Sequence, residues 1–343
     1  MLQNISISEI KKDKNFSANF LNLELKNLNL SCNLYKGEFY LDSFNFFLIN
    51  NNNNTFNTLF TRDYYQKNEH FFSQLFFENF KKKQKNFKKI NKVFVLGSNA
   101  GNNYYSNLLQ FLPRIFFLPN NNNIKVAINR NSSTKFRDFI KEILISKNIE
   151  FKFIYLDDDF YRFTNSEMPQ FFNLTKSVNI LKNLLTPKKS ETKDNKIYVT
   201  REGSSYRKII NESDIIPILR SKGYKVINPE LYKIEEQIKI FSNADKIVAP
   251  HGSNLANIIF CKPKTEICEI GPSFDKDFEK IFKNRYKQLA DMNNLKYTKL
   301  IVDTVPIESY SEKSKKYINK NILKNSNYYT NLIVKVSDIK SLN

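Results

Sequence analysis

Residues 196–271 alternate between short apolar runs and stretches with apolar positions three and four apart, so strands and helices are predicted in strict succession. KIYVTR (196–201) reads as a strand, a helix follows over about 212–222, and YKVINP (224–229) is the next strand. IEEQIKIFSNA (234–244) reads as a helix, DKIVAPHG (245–252) as a strand, SNLANIIF (253–260) as a helix and TEICEIG (265–271) as a strand. The connections are short, as a parallel sheet with right-handed crossovers requires. Ligands of such sheets lie at the carboxyl ends of the strands, and Arg201, His251 and Glu269 fall there.

The preceding segment repeats the alternation. KVFVLG (92–97) is a strand ending in Gly; SNAGNNYYSNLLQFLPRIFFL reads as a loop and a helix up to Pro113; KVAIN (125–129), a helix over 134–147 and EFKFIYL (150–156) complete a doubly wound half-domain. Residues 1–90 are Phe- and Asn-rich and predict a small β-rich or irregular region, with Asn50 to Asn54 as a loop. The polar segment around Pro187 is the linker, over 183–195. Two Rossmann-like units, 91–182 and 196–290, are therefore expected, followed by an extension over 291–343.

With 343 residues the chain is long enough for two separate cores. Its 41% apolar and 26% charged residues are those of a globular protein. The formal net charge of +20 is mostly Lys, alongside abundant Asn, Phe and Ile. Nucleic-acid readers need Arg as well, for bidentate contacts, so no nucleic-acid partner is expected. Attraction to acidic surfaces and to polyphosphate ligands stays open. Three cysteines (Cys32, Cys261, Cys268) and two histidines (His70, His251) show no metal-ligand spacing, so neither a zinc site nor a disulfide framework is expected.

The start, MLQNISISEIKKDKN, has no signal-like apolar core, and the longest uncharged stretch, Val93 to Pro113, is broken by Gly97, Gly101 and several Asn. The expectation is a cytoplasmic protein. FFSQLFFENFKKKQKNFKK joins aromatic residues to a Lys run from Lys81 to Lys89, read as a solvated helix end; the alternative is docking on the inner face of an acidic membrane.

Several residues have chemistry to offer. A guanidinium at Arg201 can hold a diphosphate bidentately or pair with a nearby carboxylate such as Glu202. Arg207 lies six residues on, and Asn211 is placed to cap the helix that starts at Glu212. At 100° per residue Gln237 falls on the apolar face of Ile234, Ile238, Phe241 and Ala244, so its amide needs buried partners, the simplest being a neighbouring loop backbone. In PHGSNLAN (250–257) Gly252 allows close backbone approach, Ser253 is positioned to cap the helix, and the helix start offers N–H groups to an anion. His251 fits loop or ligand positioning, and also catalysis. EFKFIYL runs into Asp157, Asp158 and Asp159; such a strand end either holds a divalent ion on a nucleotide diphosphate or is an acidic loop tip.

In combination, IYVTRE, RKIINE, the helix and turn IEEQIKIFSNADKIVAPHGSNLANIIF, and the strand CEIGP resemble glycosyltransferase family 61, the group that includes bacterial capsular polysaccharide enzymes and eukaryotic protein O-linked sugar transferases. The resemblance covers about residues 92–272 and is densest over 196–271. Upstream, NNYYSNLLQFLPRI resembles the family's aromatic-rich segment ending in Leu-Pro-Arg, with Ser106 where many members have His. Positions 253, 254 and 256 are Ser, Asn and Ala where Ala, Gly and Thr are commoner.

The resemblance implies a GT-B architecture with two Rossmann-like domains facing across a cleft. It implies inverting, metal-independent transfer of a hexosyl or pentosyl group from a nucleotide-sugar, UDP-linked, to a glycan or lipid-linked glycan in surface or capsular polysaccharide synthesis, with no cofactor. Donor binding would fall to Arg201, Arg207, Gln237, His251, Gly252, Ser253, Asn254, Asn257 and Glu269, and the acceptor side to Tyr104, Tyr105, Ser106 and Arg114. The base is unassigned among His251, Asp157, Asp158, Asp159 and Glu167. The alternatives are a non-catalytic sugar-binding or assembly protein of the same fold, and a metal-dependent transferase using Asp157 and Asp159.

Overall fold

The computed structural model describes residues 20–25, 30–44, 46–49, 56–62, 86–99, 101–119, 123–187, 195–204, 206–273, 284–305 and 330–342. The chain divides into two units, Met1–Leu184 and Leu185–Asn343. The expected loop over Asn50 to Asn54, Lys81 to Lys85 of the basic run, and 188–194 of the linker lie outside the described residues. Among the described residues no helix is long and apolar enough to cross a membrane.

In the first unit β1 (Phe20–Leu25), β2 (Leu30–Asp42), β3 (Phe47–Ile49), β4 (Phe56–Thr61), β5 (Lys88–Asn91), β6 (Phe94–Val95), β7 (Ile124–Asn129), β8 (Phe151–Leu156) and β9 (Phe160–Pro169) form one nine-stranded sheet. A helical run over 104–117, α1 (Thr134–Ser146) and α2 (Leu174–Leu185) complete the unit. The path β4-β3-β2-β9-β6-β7-β8 is antiparallel from β4 to β9 and parallel from β9 to β8.

This corrects the expectation of a purely doubly wound unit beside a separate β-rich region. FYRFTNSEMP (160–169), left unassigned in the sequence, alternates buried and accessible positions and pairs on one side with β2 and on the other with β5 and β6. One strand paired along both edges therefore merges both regions. Lys88 and Lys89, at the end of the basic run, are exposed on β5.

The core around Arg114 is unusual. The side chain is fully buried, donates to the backbone carbonyls of Val95, Leu96 and Pro169, and stacks 4.2 Å from the centre of the Phe171 ring, with the Phe46 and Phe111 rings nearby. Burial lowers its pKa to about 9, which still leaves it charged at neutral pH. Phe46 closes this cluster. It is fully buried at φ 63°, and its ring lies where a Cβ on Gly97 would fall.

The second unit follows its expected order closely. β10 (Lys196–Val199), β11 (Tyr224–Ile227), β12 (Lys246–Pro250), β13 (Glu266–Gly271) and β14 (Lys296–Ile301) form a parallel sheet in the order β11-β10-β12-β13-β14. Its helices are α3 (Glu212–Ser221), α4 (Ile234–Asn243), a 3-10 helix at Ser253–Phe260, α5 (Arg285–Met292) and α6 (Val336–Lys340). Alternate strand residues point to opposite faces, and Tyr198, Val248, Cys268 and Ile270 make a core with Ile215 and Leu219 of α3 and Ile339 of α6. The 3-10 helix packs with α4 and α5.

Residues beyond 290 belong to this fold: β14 is an edge strand of the sheet. Two short strands, β15 (Asp303–Val305) and β16 (Asn331–Ile333), pair antiparallel, and Leu332 also bridges Ile209. The expected cap at Asn211 is replaced by this return of the chain. Asn211 makes no capping bond; its amide donates to the Val334 carbonyl and its oxygen accepts the Val334 N–H.

Gly97→Ala tests the Phe46 cluster. The glycine has φ +73° and no room for a methyl group, so left-handed strain plus overpacking should cost about 2–4 kcal/mol. Urea unfolding should show a lower midpoint with an unchanged slope.

Candidate functional site

β10 and β12 are neighbours, with Lys196 opposite Lys246 and Tyr198 opposite Val248, while β11 lies on the outer side of β10. The chain therefore leaves β10 toward one edge and returns on the other. The carboxyl ends of these two strands are the point where strand order reverses, and a crevice opens there in doubly wound sheets.

Arg201 follows β10 by two residues, and Gly252 follows β12 by two. The guanidinium lies directly against Gly252: a Cβ at that position would overlap Nη1. Gly252 has an ordinary extended conformation, φ −177°, so glycine is needed here for space. Arg201 Nη2 donates to the Tyr206 carbonyl at 3.3 Å. Arg207, buried and at φ 55°, stands 4.9 Å from the centre of the Tyr206 ring, and Arg201 5.8 Å from it.

The 3-10 helix begins on this turn, with half-buried Ser253 and Asn254 in its first turn. Ser253 does not cap it. The cap position is Gly252, which has no side chain to offer. The first N–H groups of the helix and the Arg201 guanidinium thus share one corner, the arrangement that suits an oxyanion.

Behind the turn is a buried carboxylate. Glu269 on β13 meets Nδ1 of His251 through Oε1 at 2.6 Å and accepts the Tyr297 hydroxyl on Oε2 at 2.6 Å. The Tyr286 ring of α5 stands edge-on to the imidazole, centroids 5.0 Å apart. Burial lowers the His251 pKa to about 4; Glu269 opposes this, while Arg207 and Arg285 reinforce it. Burial raises Glu269, but His251, the Tyr297 hydroxyl and Lys299 outweigh it and hold the carboxyl below its ordinary value. The pair is an ionised Glu269 and a neutral imidazole, with the imidazole proton on Nδ1. Tyr297 carried no signal in the sequence, because its partner lies 28 residues away.

Gln237 is buried on the apolar face of α4 as expected. Its amide donates to the carbonyls of Pro229 and Tyr232, and its oxygen accepts from Asn257, which is itself fully buried. Both side chains thus brace the loop before α4 and the 3-10 helix. Glu212 accepts the hydroxyls of Tyr198 and Thr200, which ties the start of α3 to the end of β10.

In the first unit the acidic run forms the bend between β8 and β9. Asp157 meets Arg130 Nε at 2.6 Å and Lys88 Nζ at 3.2 Å, and these bonds hold its carboxyl below the ordinary range. Asp158 accepts from Asn129 and Asn131, and Asp159 caps its own bend through the Phe160 N–H. Glu167 pairs with Lys36 at 3.2 Å. Among the described residues no group of three His, Cys, Asp or Glu is placed to hold a metal ion.

Tyr104, Tyr105 and Ser106 open the helical run, half-buried, and Ser106 lies 3.4 Å from Arg62. Arg114, expected on the acceptor side, is instead in the core described above, because its guanidinium satisfies three backbone carbonyls that end buried strands. The described site residues therefore fall into two groups. Arg201, Arg207, His251, Gly252, Ser253, Asn254 and Glu269 converge in the second unit; Asp157, Asp159 and the 104–106 segment lie in the first.

A family model described as Glycosyltransferase 61 matches residues 104–268. Residues 104–268 belong to glycosyltransferase family 61. No curated protein matches the chain. The glycosyltransferase 61 segment runs from the first residue of the helical run to Cys268 in β13, and so includes Arg201, Arg207, His251 and Gly252. Glu269 follows its last residue directly. Tyr286 and Tyr297, which complete the buried pair, come from the chain beyond it.

The buried pair makes the second unit acid-sensitive. His251 titrates near its ordinary 6.5 when unfolded and about 4 when folded, so the unfolded chain binds the proton first as pH falls. Stability contributed by the neutral imidazole is present above about pH 6.5 and is lost on the way down to pH 4. Glu269, also lowered, adds its loss on the same acid side. Between pH 7 and 5 the His251 contribution should fall by about 2 kcal/mol. Urea unfolding should show this slope in the wild type and a flatter one in His251→Gln.

Proposed function

We propose that the protein is an inverting transferase that moves a sugar from a nucleotide-sugar, UDP-linked, to a hydroxyl of a glycan or lipid-linked glycan in surface polysaccharide synthesis, without a metal ion. The GT-B arrangement belongs to this reading. The observation that carries it is the Arg201 guanidinium seated against Gly252 at the start of the 3-10 helix, where the strand order of the second unit reverses.

In this reading the diphosphate sits between Arg201 and the first N–H groups of that helix, with Arg207 adding positive potential. The acceptor oxygen attacks the anomeric carbon; the bond from that carbon to the phosphate oxygen breaks, and its electron pair leaves with the nucleoside diphosphate. Developing charge on the leaving oxygens meets donors already fixed in place, the largest single source of catalysis in many enzymes. The proton of the acceptor hydroxyl passes to a base.

The carboxylates of 157–159 are engaged by Arg130, Lys88, Asn129 and Asn131. A divalent ion there would first have to displace two cations from Asp157, which supports the metal-free reading. The engagement of Arg201 with the glycine turn also favours a catalyst over a silent sugar-binding protein of the same fold.

Nucleoside diphosphates and nucleotide-sugars should raise the melting temperature, since a ligand at 100 times its dissociation constant stabilises the folded state by about 2.7 kcal/mol. A flat response to all of them at millimolar concentration would remove the donor site. In a transfer assay Arg201→Lys should lose about two orders of magnitude, close to the loss in Arg201→Ala, because a point charge cannot replace a planar fork. Both variants and the wild type should keep their relative rates in EDTA; loss restored by Mn²⁺ or Mg²⁺ would return attention to Asp157 and Asp159.

A further inference from the structure

At the amino ends of the second unit's strands the pairing registers set one row of side chains across the sheet. Tyr224 on β11 lies opposite Lys196 on β10, Lys196 opposite Lys246 on β12, Lys246 opposite Glu266 on β13, and Glu266 opposite Lys296 on β14. Residues opposite one another share a face, and two residues further along the same face carries Val248, Cys268 and Thr298. Ile215 and Leu219 of α3 and Ile339 of α6 pack on this face. The row lies at the other end of the strands from Arg201 and Gly252; β12 alone spans about 13 Å from Lys246 to Pro250.

A cavity of about 220 Å³ opens on this row, with Tyr224, Lys246, Glu266, Cys268, Lys296 and Leu342 in its wall. Protein interiors close to near-crystalline density, so a gap of this size beside a packed core is unusual. Its charge is uneven. Three lysines share the row with one carboxylate, and two of them already claim Glu266, Lys246 at 3.0 Å and Lys296 at 3.2 Å. Lys196 donates to the Lys222 carbonyl and stands 5.7 Å from the centre of the Tyr224 ring. Tyr224 supplies the deciding detail. It is 4% exposed, yet among the described residues its hydroxyl has no hydrogen-bond partner. Burial, with Cys268 and Glu266, raises its pKa, so the group stays a donor. Both of those residues are on β13, so the hydroxyl reaches from β11 over the intervening strands toward the cavity.

We propose that this cavity is a binding site for a small organic carboxylate, whose apolar body fills the gap against Val248 and Leu342 and whose oxygens accept the Tyr224 hydroxyl and meet the ammonium groups of Lys246 and Lys296. An apolar cavity of about 150 Å³ holds benzene, so this one has room for a ring that carries a carboxylate. Glu266 and Lys296 are exposed and form its mouth. A carboxylate entering there answers the surplus positive charge of the row and bonds a buried donor that has no other acceptor. A neutral molecule of the same shape does only the second, and a cation does neither. Bound, it links β11, β13 and β14 to the C-terminal segment through Leu342. The site shares no residue with the corner of Arg201 and Gly252, and it stands whether or not the donor reading does.

The test uses benzoate as the probe and the full chain, with binding measured by calorimetry and by the shift in melting temperature. Benzoate should bind one to one at millimolar concentration and raise the melting temperature, and benzyl alcohol should bind about tenfold more weakly, the loss of a charge-assisted hydrogen bond. Tyr224→Phe should weaken benzoate about tenfold while the melting temperature without benzoate stays as in the parent, because no hydrogen bond of the folded chain is lost. Cys268→Leu, which fills the gap, should abolish binding. If that variant does not fold, Lys296→Gln at the exposed mouth serves, with an expected loss of several-fold. Arg201→Ala should leave benzoate affinity unchanged. No binding by the parent, equal binding by benzyl alcohol, or an affinity untouched by both Tyr224→Phe and Lys296→Gln overturns the proposal. So does a loss in Arg201→Ala, which would place the anion at the other end of the sheet.

Discussion

The parallel ladder between β10 and β12 is the constraint on which the candidate site depends. These strands are separated in the chain by α3, β11 and α4, yet they are adjacent in the sheet. Their adjacency brings Arg201 against Gly252, and it does so only because residue 252 has no Cβ. The rest of the second unit supports that contact. Gln237 and Asn257 join α4 to the 3-10 helix, Glu212 ties α3 to the end of β10, and the buried Glu269 anchors the turn through His251.

Two buried charged groups play opposite parts in the two units. Arg114 sits in a cage of carbonyls and aromatic rings, with its polar atoms consumed by the fold. Glu269 lies nearly as deep, and its partners include the buried imidazole on the turn after β12. Burying a charge costs several kcal/mol unless it is well bonded. Both are well bonded, and the second is coupled to an imidazole that burial keeps neutral at physiological pH.

The chain beyond residue 290 changes how the second unit is understood. β14 supplies Tyr297, and the returning segment 330–334 pairs with Ile209 and holds Asn211 through the Val334 backbone. The family match ends at Cys268, so these contributions lie outside the part of the chain that carries the family's pattern. The parallel sheet and the hydrogen bonds of Glu269 are nonetheless incomplete without β14.

Hydrophobic period alone was enough to place the elements of the second unit in type and order, and to put Arg201, His251 and Gly252 just past strand ends, with Glu269 inside β13, because helix and strand periods are local properties of the chain. The burial of Gln237 was legible for the same reason: neighbours on one turn of a helix share a face whatever the helix packs against. Which segments meet was not local. β9 has the alternation of a strand, yet only the sheet shows that it joins two regions; the Leu-Pro-Arg segment reads as a helix end, yet only the packed core shows that Arg114 is consumed by three carbonyls. Asn211 has the chemistry of a cap, but a backbone 123 residues away satisfies it first. Register between distant strands decided the partners of Glu269, and register depends on tertiary pairing that no local pattern contains.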